Sequence, residues 1–239
     1  GGFTGWMLLN YKKPVQVSST LGGYHANNAV DENIKTYWSA KSGNKGEWLQ
    51  SDLGAVSTVN AIQVNYADQD GELMGKVPGI YHQYIITASN DGKTWSTVVD
   101  KSANKKDVPH DYIELSKPIT ARYLRITNHH MPTGKFALSG FRVFGKASGN
   151  APDTVKHFIG LRGDSERRNC WFKWQVSADA TGYNLYVGTE PDKLYNSVML
   201  YGVNEYYFTA MDKDRPYYFQ IEAFNESGIG KRTQVIRIE

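Results

Sequence analysis

The feature that most constrains this chain is the period of its apolar residues. No segment sustains the i, i+3, i+4, i+7 spacing of an amphipathic helix. Runs that alternate every second residue recur instead, each closed by turn residues. Val59-Asn60-Ala61-Ile62-Gln63-Val64-Asn65-Tyr66 is one such run, and Tyr84-Ile85-Ile86-Thr87-Ala88-Ser89 is another. The latter runs into Asn90-Asp91-Gly92-Lys93, where Asp-Gly supplies the positive φ of a tight hairpin. Ala121 to Thr127 and Phe136 to Gly145 read as further strands, as do Gly182 to Val187 and Tyr217 to Phe224. Aromatic residues make up 13% of the chain, with 16 Tyr and 6 Trp, a bias that suits half-buried sheet faces. The expectation is an all-β protein.

Gly, Ser, Asn and Pro crowd into Lys146-Ala147-Ser148-Gly149-Asn150-Ala151-Pro152, which cannot sustain a strand ladder and reads as a linker. It divides the 239 residues into two lengths that each suit one β-sandwich. The expected boundaries are 1–9 as the tail of a preceding domain or a linker, 10–146 as the first domain, 147–152 as linker and 153–239 as the second. The opening Gly1-Gly2-Phe3 has neither an initiator Met nor a basic stretch, so the chain is read as an excised fragment.

Charge narrows the function. Before Gly149 there are 16 Lys and Arg against 12 Asp and Glu, and after it 11 against 12, so the halves carry +4 and −1. Neither has the basic bias of a nucleic-acid binder. No stretch approaches the roughly 18 apolar residues of a membrane-spanning helix. The one cysteine, Cys170, excludes an internal disulfide and reads as a small buried hydrophobe. Catalytic signatures are missing: there is no nucleophile elbow, no His-Glu-x-x-His run and no phosphate loop. Asp68, Asp70 and Glu72 share one loop, a poor platform for two opposed carboxylates of a glycosidase.

Ordered along the first half are Val17-Ser18-Ser19, Asn28 to Ser39, Glu47-Trp48-Leu49-Gln50-Ser51-Asp52-Leu53-Gly54, Tyr84 to Trp95, Ala121 to Ile126 and Leu138 to Gly145. In this order they resemble the discoidin family, also called the coagulation factor 5/8 C-terminal type, whose bacterial members include family thirty-two carbohydrate-binding modules. The resemblance implies a jelly-roll β-sandwich with recognition loops at one end. Trp38, Trp48 and Trp95 are expected to plug the ends of the barrel, sugar stacking being the alternative. Asp52 is expected to pair with Arg122 or Arg125.

Two site readings follow. Asp31, Asn33 and Thr36 offer hard oxygens on a tight loop, and in the resembling family this loop often holds a structural calcium closed by a Glu near the last strand. Gly140 stands at that Glu position, which weakens a calcium site. The alternative is a loop tied by its own hydrogen bonds. For a glycan, an aromatic face and convergent polar groups are needed. Three loops supply them: Tyr24 and His25; Asp68, Asp70, Tyr81 and His82; and His129 and His130. Adjacent His129 and His130 would point to opposite faces of an extended strand, which opposes joint chelation of a transition metal.

Residues 153–239 resemble fibronectin type III domains through Met211, Tyr217, Ile221, Ala223, Asn225 and Gly228, with Tyr217 as the corner tyrosine and Trp174 and Tyr183 in the core. The Arg162-Gly163-Asp164 tripeptide raises an adhesion reading. The whole is similar to the C-terminal region of bacterial family forty-three glycosidases. That resemblance implies an exported bacterial fragment (secreted, periplasmic or cell-surface) whose partners are a plant cell-wall polysaccharide and an upstream catalytic domain. Its role would be glycan binding by the first domain, with the second as spacer or docking module. The alternatives are a pure buttress of the catalytic domain and a membrane or protein adhesion module.

Overall fold

The computed structural model describes residues 5–72 and 79–239. The fold is all-β: among the described residues there is no α-helix, and one 3-10 turn spans Ala26–Val30. The chain separates into two compact units, 1–148 and 149–239.

The first unit contains β1 (Met7–Leu8), β2 (Val15–Val17), β3 (Trp38–Ser39), β4 (Trp48–Tyr66), β5 (Gln83–Ser89), β6 (Ser96–Asp100), β7 (His110–His130) and β8 (Ala137–Lys146). They pair antiparallel in the order β1-β8-β4-β7-β5-β6, with β2 added to β4 and β3 to β8. The curvature of this jelly roll comes from the long strands. The register of β4 against β7 breaks between Asp52 and Ser57 and again between Val59 and Ala61, so one strand bends and serves two layers. Gly54 at φ 84° donates its N–H to Asp52 Oδ1 (2.8 Å) within the first break. A Cβ at Gly145 would lie 1.9 Å from Thr58 O, so close approach of β8 to β4 requires glycine there. Inward alternation builds the core from Tyr84 and Ile86 on β5, Leu124 and Ile126 on β7, and Phe141 and Val143 on β8.

The three tryptophans divide. Trp38 is fully buried, meets Phe136 edge-on at 5.4 Å and donates its indole N–H to Ser19 O (3.2 Å), as an interior plug should. Trp48 and Trp95 are only partly buried and are not plugs. They flank the Arg125 guanidinium at 4.5 and 4.4 Å, because Gln50, two residues beyond Trp48, pairs with Arg125 across the β4–β7 ladder. Arg125 donates to Gln50 Oε1, leaving Arg122 to make the two-pronged pair with Asp52 (2.8 and 3.0 Å). Hydrogen bonds from Arg122 hold the Asp52 carboxyl below the usual range.

Both domain edges move relative to the sequence reading. β1 pairs with β8, Leu9 is buried and donates to Val143 O, and buried Asn10 bonds Phe141 O (2.7 Å) and Val143 N (3.0 Å). Residues 7–9 are therefore part of the first sandwich rather than a tail before it; residues 1–4 lie outside the described residues. Likewise Asn150 O accepts from Asn225 Nδ2 (2.9 Å) and Pro152 is buried, so the later part of the expected linker is packed into the second unit.

The second unit is a sandwich of two sheets. One has the order β13 (Glu205–Phe208), β10 (Cys170–Lys173), β9 (Ile159–Arg162). The other runs β12 (Asn196–Tyr201), β11 (Gly182–Gly188), β14 (Tyr217–Asn225), β15 (Gly228–Ile229), with β16 (Ile236–Ile238) also on β14. Phe172 meets Phe219 at 4.4 Å between the sheets, and Trp174, Tyr183 and Met211 are buried around them. The Tyr217 hydroxyl accepts the Asp212 N–H (3.0 Å) five residues upstream, the bond expected of a corner tyrosine. Cys170 is buried, and burial pushes its thiol up to about 11, which removes thiolate reactivity. Arg162 of the Arg-Gly-Asp tripeptide is tied down by the carbonyls of Arg167, Asp212 and Arg215, so its guanidinium is not presented as an adhesion finger.

Candidate functional site

The long strands of the first unit end in loops that meet. Residues 67–72 leave β4, 79–82 lead into β5, 131–136 join β7 to β8, and 18–37 bring the 3-10 turn alongside. Lys135 N donates to Gln69 O (2.9 Å) and Glu72 N to Thr133 Oγ1 (3.2 Å), which ties the first loop to the third. Gly134, at φ 69°, is pressed against this contact: a Cβ there would fall 2.4 Å from Gln69 O.

Two features share Gln69. The first is aromatic. Tyr24 stacks on Tyr37 at 4.8 Å with 29° between the rings, and the Tyr37 hydroxyl donates to Gln69 Oε1 (2.7 Å). Burial, then the bond to Tyr24 and the nearby Asp70 and Asp68 carboxylates, push the Tyr37 hydroxyl up to about 12. Gln69 Nε2 in turn donates to Asp70 Oδ1 (2.8 Å), and Asp70 is bonded by the Lys135 ammonium, which holds its carboxyl low. The second feature is a cavity of about 340 Å³ beside the stack, lined by Tyr66, Asp68, His82, Asp107, Met131 and Lys135 among others. Its volume lies at the lower end of the ~300–1,000 Å³ typical of small-ligand pockets.

The cavity wall holds unsatisfied polar atoms. Tyr66 is buried, and its hydroxyl has no hydrogen-bond partner among the described residues; neither has His82 Nδ1. The two rings stack at 3.9 Å. Burial pushes the His82 imidazole down to about 4, so it is neutral at ordinary pH. Buried polar groups are nearly always partnered in native proteins, so two orphans on residues of one cavity wall set this end of the sandwich apart.

The remaining candidates fall on different parts of the surface. Tyr81 and His130 are half-buried and meet at 4.7 Å with their rings tilted by 30°, and the Lys105 ammonium lies 4.8 Å over the Tyr81 ring. His129 and His130 close β7 at a register shift, where Gln83 pairs with His130 and Tyr84 with Asn128, so the simple alternation expected from sequence is interrupted there. His25 is exposed at the start of the 3-10 turn and makes no capping hydrogen bond. Tyr37, Gln69, Asp107, Met131 and Lys135 were not among the residues expected from sequence. Tyr37 carried a signal, since it sits between Thr36 and Trp38 in a motif already recognised; Asp107 carried none.

The calcium reading is answered by the chemistry of the donor set. Asp31 Oδ1 accepts the Asn33 N–H (2.8 Å), Asp31 Oδ2 accepts the Thr36 hydroxyl (2.6 Å), and Asn33 Oδ1 accepts the Lys35 N–H (3.0 Å). At the closing position a Cβ on Gly140 would meet Arg142 Nη1 at 3.0 Å. That guanidinium pairs with Glu32 Oε1 (2.6 Å). With its amide oriented to satisfy both ends, Asn65 also accepts from Arg142 and donates to His110 Nδ1. A fixed cation thus stands where a closing carboxylate would be needed, and Asp31, Asn33 and Thr36 are engaged with one another. These residues do not fit calcium.

Residues 14–140, just over half of the 239, match the family model described as the F5/8 type C domain. The chain belongs to the F5/8 type C domain family. Solved structures similar to this F5/8 type C protein include chitosan-binding module 1 of a chitosanase/glucanase from Paenibacillus sp. IK-5, at 26% identity over 58% of this chain and 99% of that one, with a TM-score of 0.49. Module 2 of the same enzyme, solved with chitotriose, is 24% identical over 57% and 99%, also at 0.49. The family 32 carbohydrate-binding module of NanJ from Clostridium perfringens, solved with galactose, is 21% identical over 58% and 98%, at 0.48. No curated protein matches the chain.

Proposed function

We propose that this chain is a non-catalytic accessory fragment of an exported bacterial glycoside hydrolase, and that its first unit binds a glycan at the loop end. The single observation that carries the reading is the cavity of about 340 Å³ at the loop end, lined by Tyr66, Asp68, Gln69, His82 and Lys135 and joined through Gln69 to the Tyr24–Tyr37 stack. Aromatic faces take the C–H surface of a pyranose ring, and polar side chains at the cavity take its hydroxyls. A catalytic role is disfavoured by the same geometry. Asp70 is held ionised by Lys135 and cannot supply the protonated carboxyl that glycoside hydrolysis needs. The second unit, a fibronectin type III-like sandwich, serves as spacer or docking module. Affinity of even about 1 mM suffices when tethering raises local concentration.

Titration calorimetry of the whole chain against xylo-, arabinoxylo-, galacto- and gluco-configured oligosaccharides tests the reading; the plant cell-wall arm is the one the sequence resemblance favours. Tyr66→Phe should not lower the melting temperature, because its buried hydroxyl has no hydrogen-bond partner among the described residues. Absence of binding to every glycan at millimolar concentration would leave only the buttress role.

A further inference from the structure

The second unit leaves one sheet edge unguarded. β12 ends the five-stranded sheet: it pairs with β11 on one side, and within the second unit, all of whose residues are described, no strand lies on its other side. In an antiparallel ladder every second residue turns its N–H and C=O away from the strand it is paired with, so this outer side is a row of backbone donors and acceptors. Edge strands are normally protected from pairing by a charge, a proline or a bulge. The other described edges of four residues or more keep to that rule. β6 ends in Asp100 and meets β5 through a register shift, β9 ends in Arg162, and β13 begins at Glu205. β12 has no such device. It pairs with β11 over six consecutive positions, from Gly182↔Tyr201 to Val187↔Asn196, without a register shift. From Leu194 to Asn204, eleven residues pass without a charge or a proline, in a chain that is 21% charged. Along this stretch Tyr195 is 82%, Met199 57% and Val203 41% exposed. The charges that bound it are already paired: Lys193 bonds Glu190 (2.6 Å) and Glu205 faces Lys173 (3.8 Å).

We propose that β12 pairs antiparallel with β12 of a second copy of this chain, so that two five-stranded sheets join into one across a two-fold axis. Charge favours this occupant over a strand of a different protein. Beside a two-fold axis each side chain faces its own copy or a near neighbour of it, so any charge there meets a like charge. A strand without charge over its whole length is what self-pairing requires, whereas a foreign partner is steered and selected by complementary charge. The face pattern then restricts the register. Leu200 packs on the core of the second unit, and Met199 is exposed on the opposite face. Because side chains alternate with a period of two, the faces of the two copies match only where odd-numbered residues oppose odd-numbered ones. The pairing centred on Met199 does this. It sets Met199 against its own copy, Val198 against the partner's Leu200 and Ser197 against the partner's Tyr201. Where the first unit binds a glycan, such a dimer carries two of those sites and gains avidity; the pairing itself does not depend on that reading.

The experiment is sedimentation equilibrium of the full chain from about 1 μM to about 1 mM, the range in which a modest interface populates both states. The parent should pass from monomer to dimer as concentration rises. Met199→Lys brings two ammonium groups together at the axis and should raise the dimer dissociation constant about tenfold or more. Met199 is exposed, so this variant should melt as the parent does. Val176→Lys alters another exposed hydrophobe of the same unit (62% exposed) and should leave association unchanged. Met199→Cys reads the register without any added charge. Opposed Cα atoms of an antiparallel pair stand about 4.5–5.5 Å apart, within reach of a disulfide. Mild oxidation should therefore link this variant into a covalent dimer, while the parent, whose one cysteine is the buried Cys170, should stay unlinked. A parent that is monomeric at every concentration would overturn the pairing and leave the edge to a strand of another protein. So would a dimer that Met199→Lys does not weaken, or one whose Met199→Cys variant fails to cross-link.

Discussion

The pairing of Arg142 with Glu32 makes a quantitative prediction about how the Asp31 loop is held. Glu32 adopts φ 58° at the end of the 3-10 turn, and its carboxylate meets the Arg142 guanidinium on β8 at 2.6 Å. The two side chains are 18% and 21% exposed, so the pair lies between a surface bridge and a buried one. Exposed pairs contribute ~0–1 kcal/mol and loss of one partner of a buried pair costs ~3–5, so Arg142→Gln should cost about 2 kcal/mol. For a sandwich of this size that is a fall of roughly 4–8 °C in melting temperature. The assay is thermal unfolding of the parent, Arg142→Gln, Glu32→Gln and the double variant, each with calcium and with chelator. A ligand at a hundred times its dissociation constant would add about 2.7 kcal/mol, so a site with a dissociation constant of about 10 μM would give a clear rise at about 1 mM calcium, and weaker sites are reached by raising calcium to about 10 mM. The expected result is a coupling of about 1 kcal/mol between the two positions and no response of the parent to calcium. A parent melting temperature that rises with calcium, or additive effects of the two substitutions, would refute the reasoning.

Two further outcomes are expected. Because burial holds the His82 imidazole neutral down to about pH 4, while an unfolded histidine protonates near 6.5, the unfolded state binds the extra proton first. The stability contribution is therefore complete above about pH 6.5 and is lost as pH falls towards 4; acid titration of unfolding should show this slope in the parent and not in His82→Phe. Tyr217→Phe removes the hydroxyl that accepts the Asp212 N–H and should cost the second unit about 1 kcal/mol, read from denaturant melts; an unchanged midpoint would show that the corner bond contributes nothing.

The calcium question shows why sequence alone stops short at a site. The motif residues Asp31, Asn33 and Thr36 were visible, as was the missing carboxylate at Gly140. Nothing in the sequence revealed that Arg142 would turn its guanidinium into that space, because the contact joins residues 110 apart, Glu32 just past the 3-10 turn and Arg142 on β8. The tryptophans behave similarly. Trp38 could be assigned to the interior from its motif, but the Trp48–Arg125–Trp95 arrangement depends on which residues face each other across two strand pairings. β4 and β7 were only partly recognised, since Gly54 and the exposed residues around it look like a terminator although the strand continues through a bulge.

Alternation, turn residues and ordered motifs were enough to specify an all-β chain of two sandwiches, because strand period and turn chemistry are local properties of the backbone. They also marked the loops that carry Tyr24, Asp68, Asp70 and His82. Tertiary structure alone decided that Tyr37 and Gln69 join those loops, that Lys135 cancels Asp70, and that Tyr66 and His82 are left with unpartnered polar atoms around a cavity. Those outcomes arise where the ends of β4, β5 and β7 converge, and convergence is a property of register and twist summed over whole strands, which no short stretch of residues encodes.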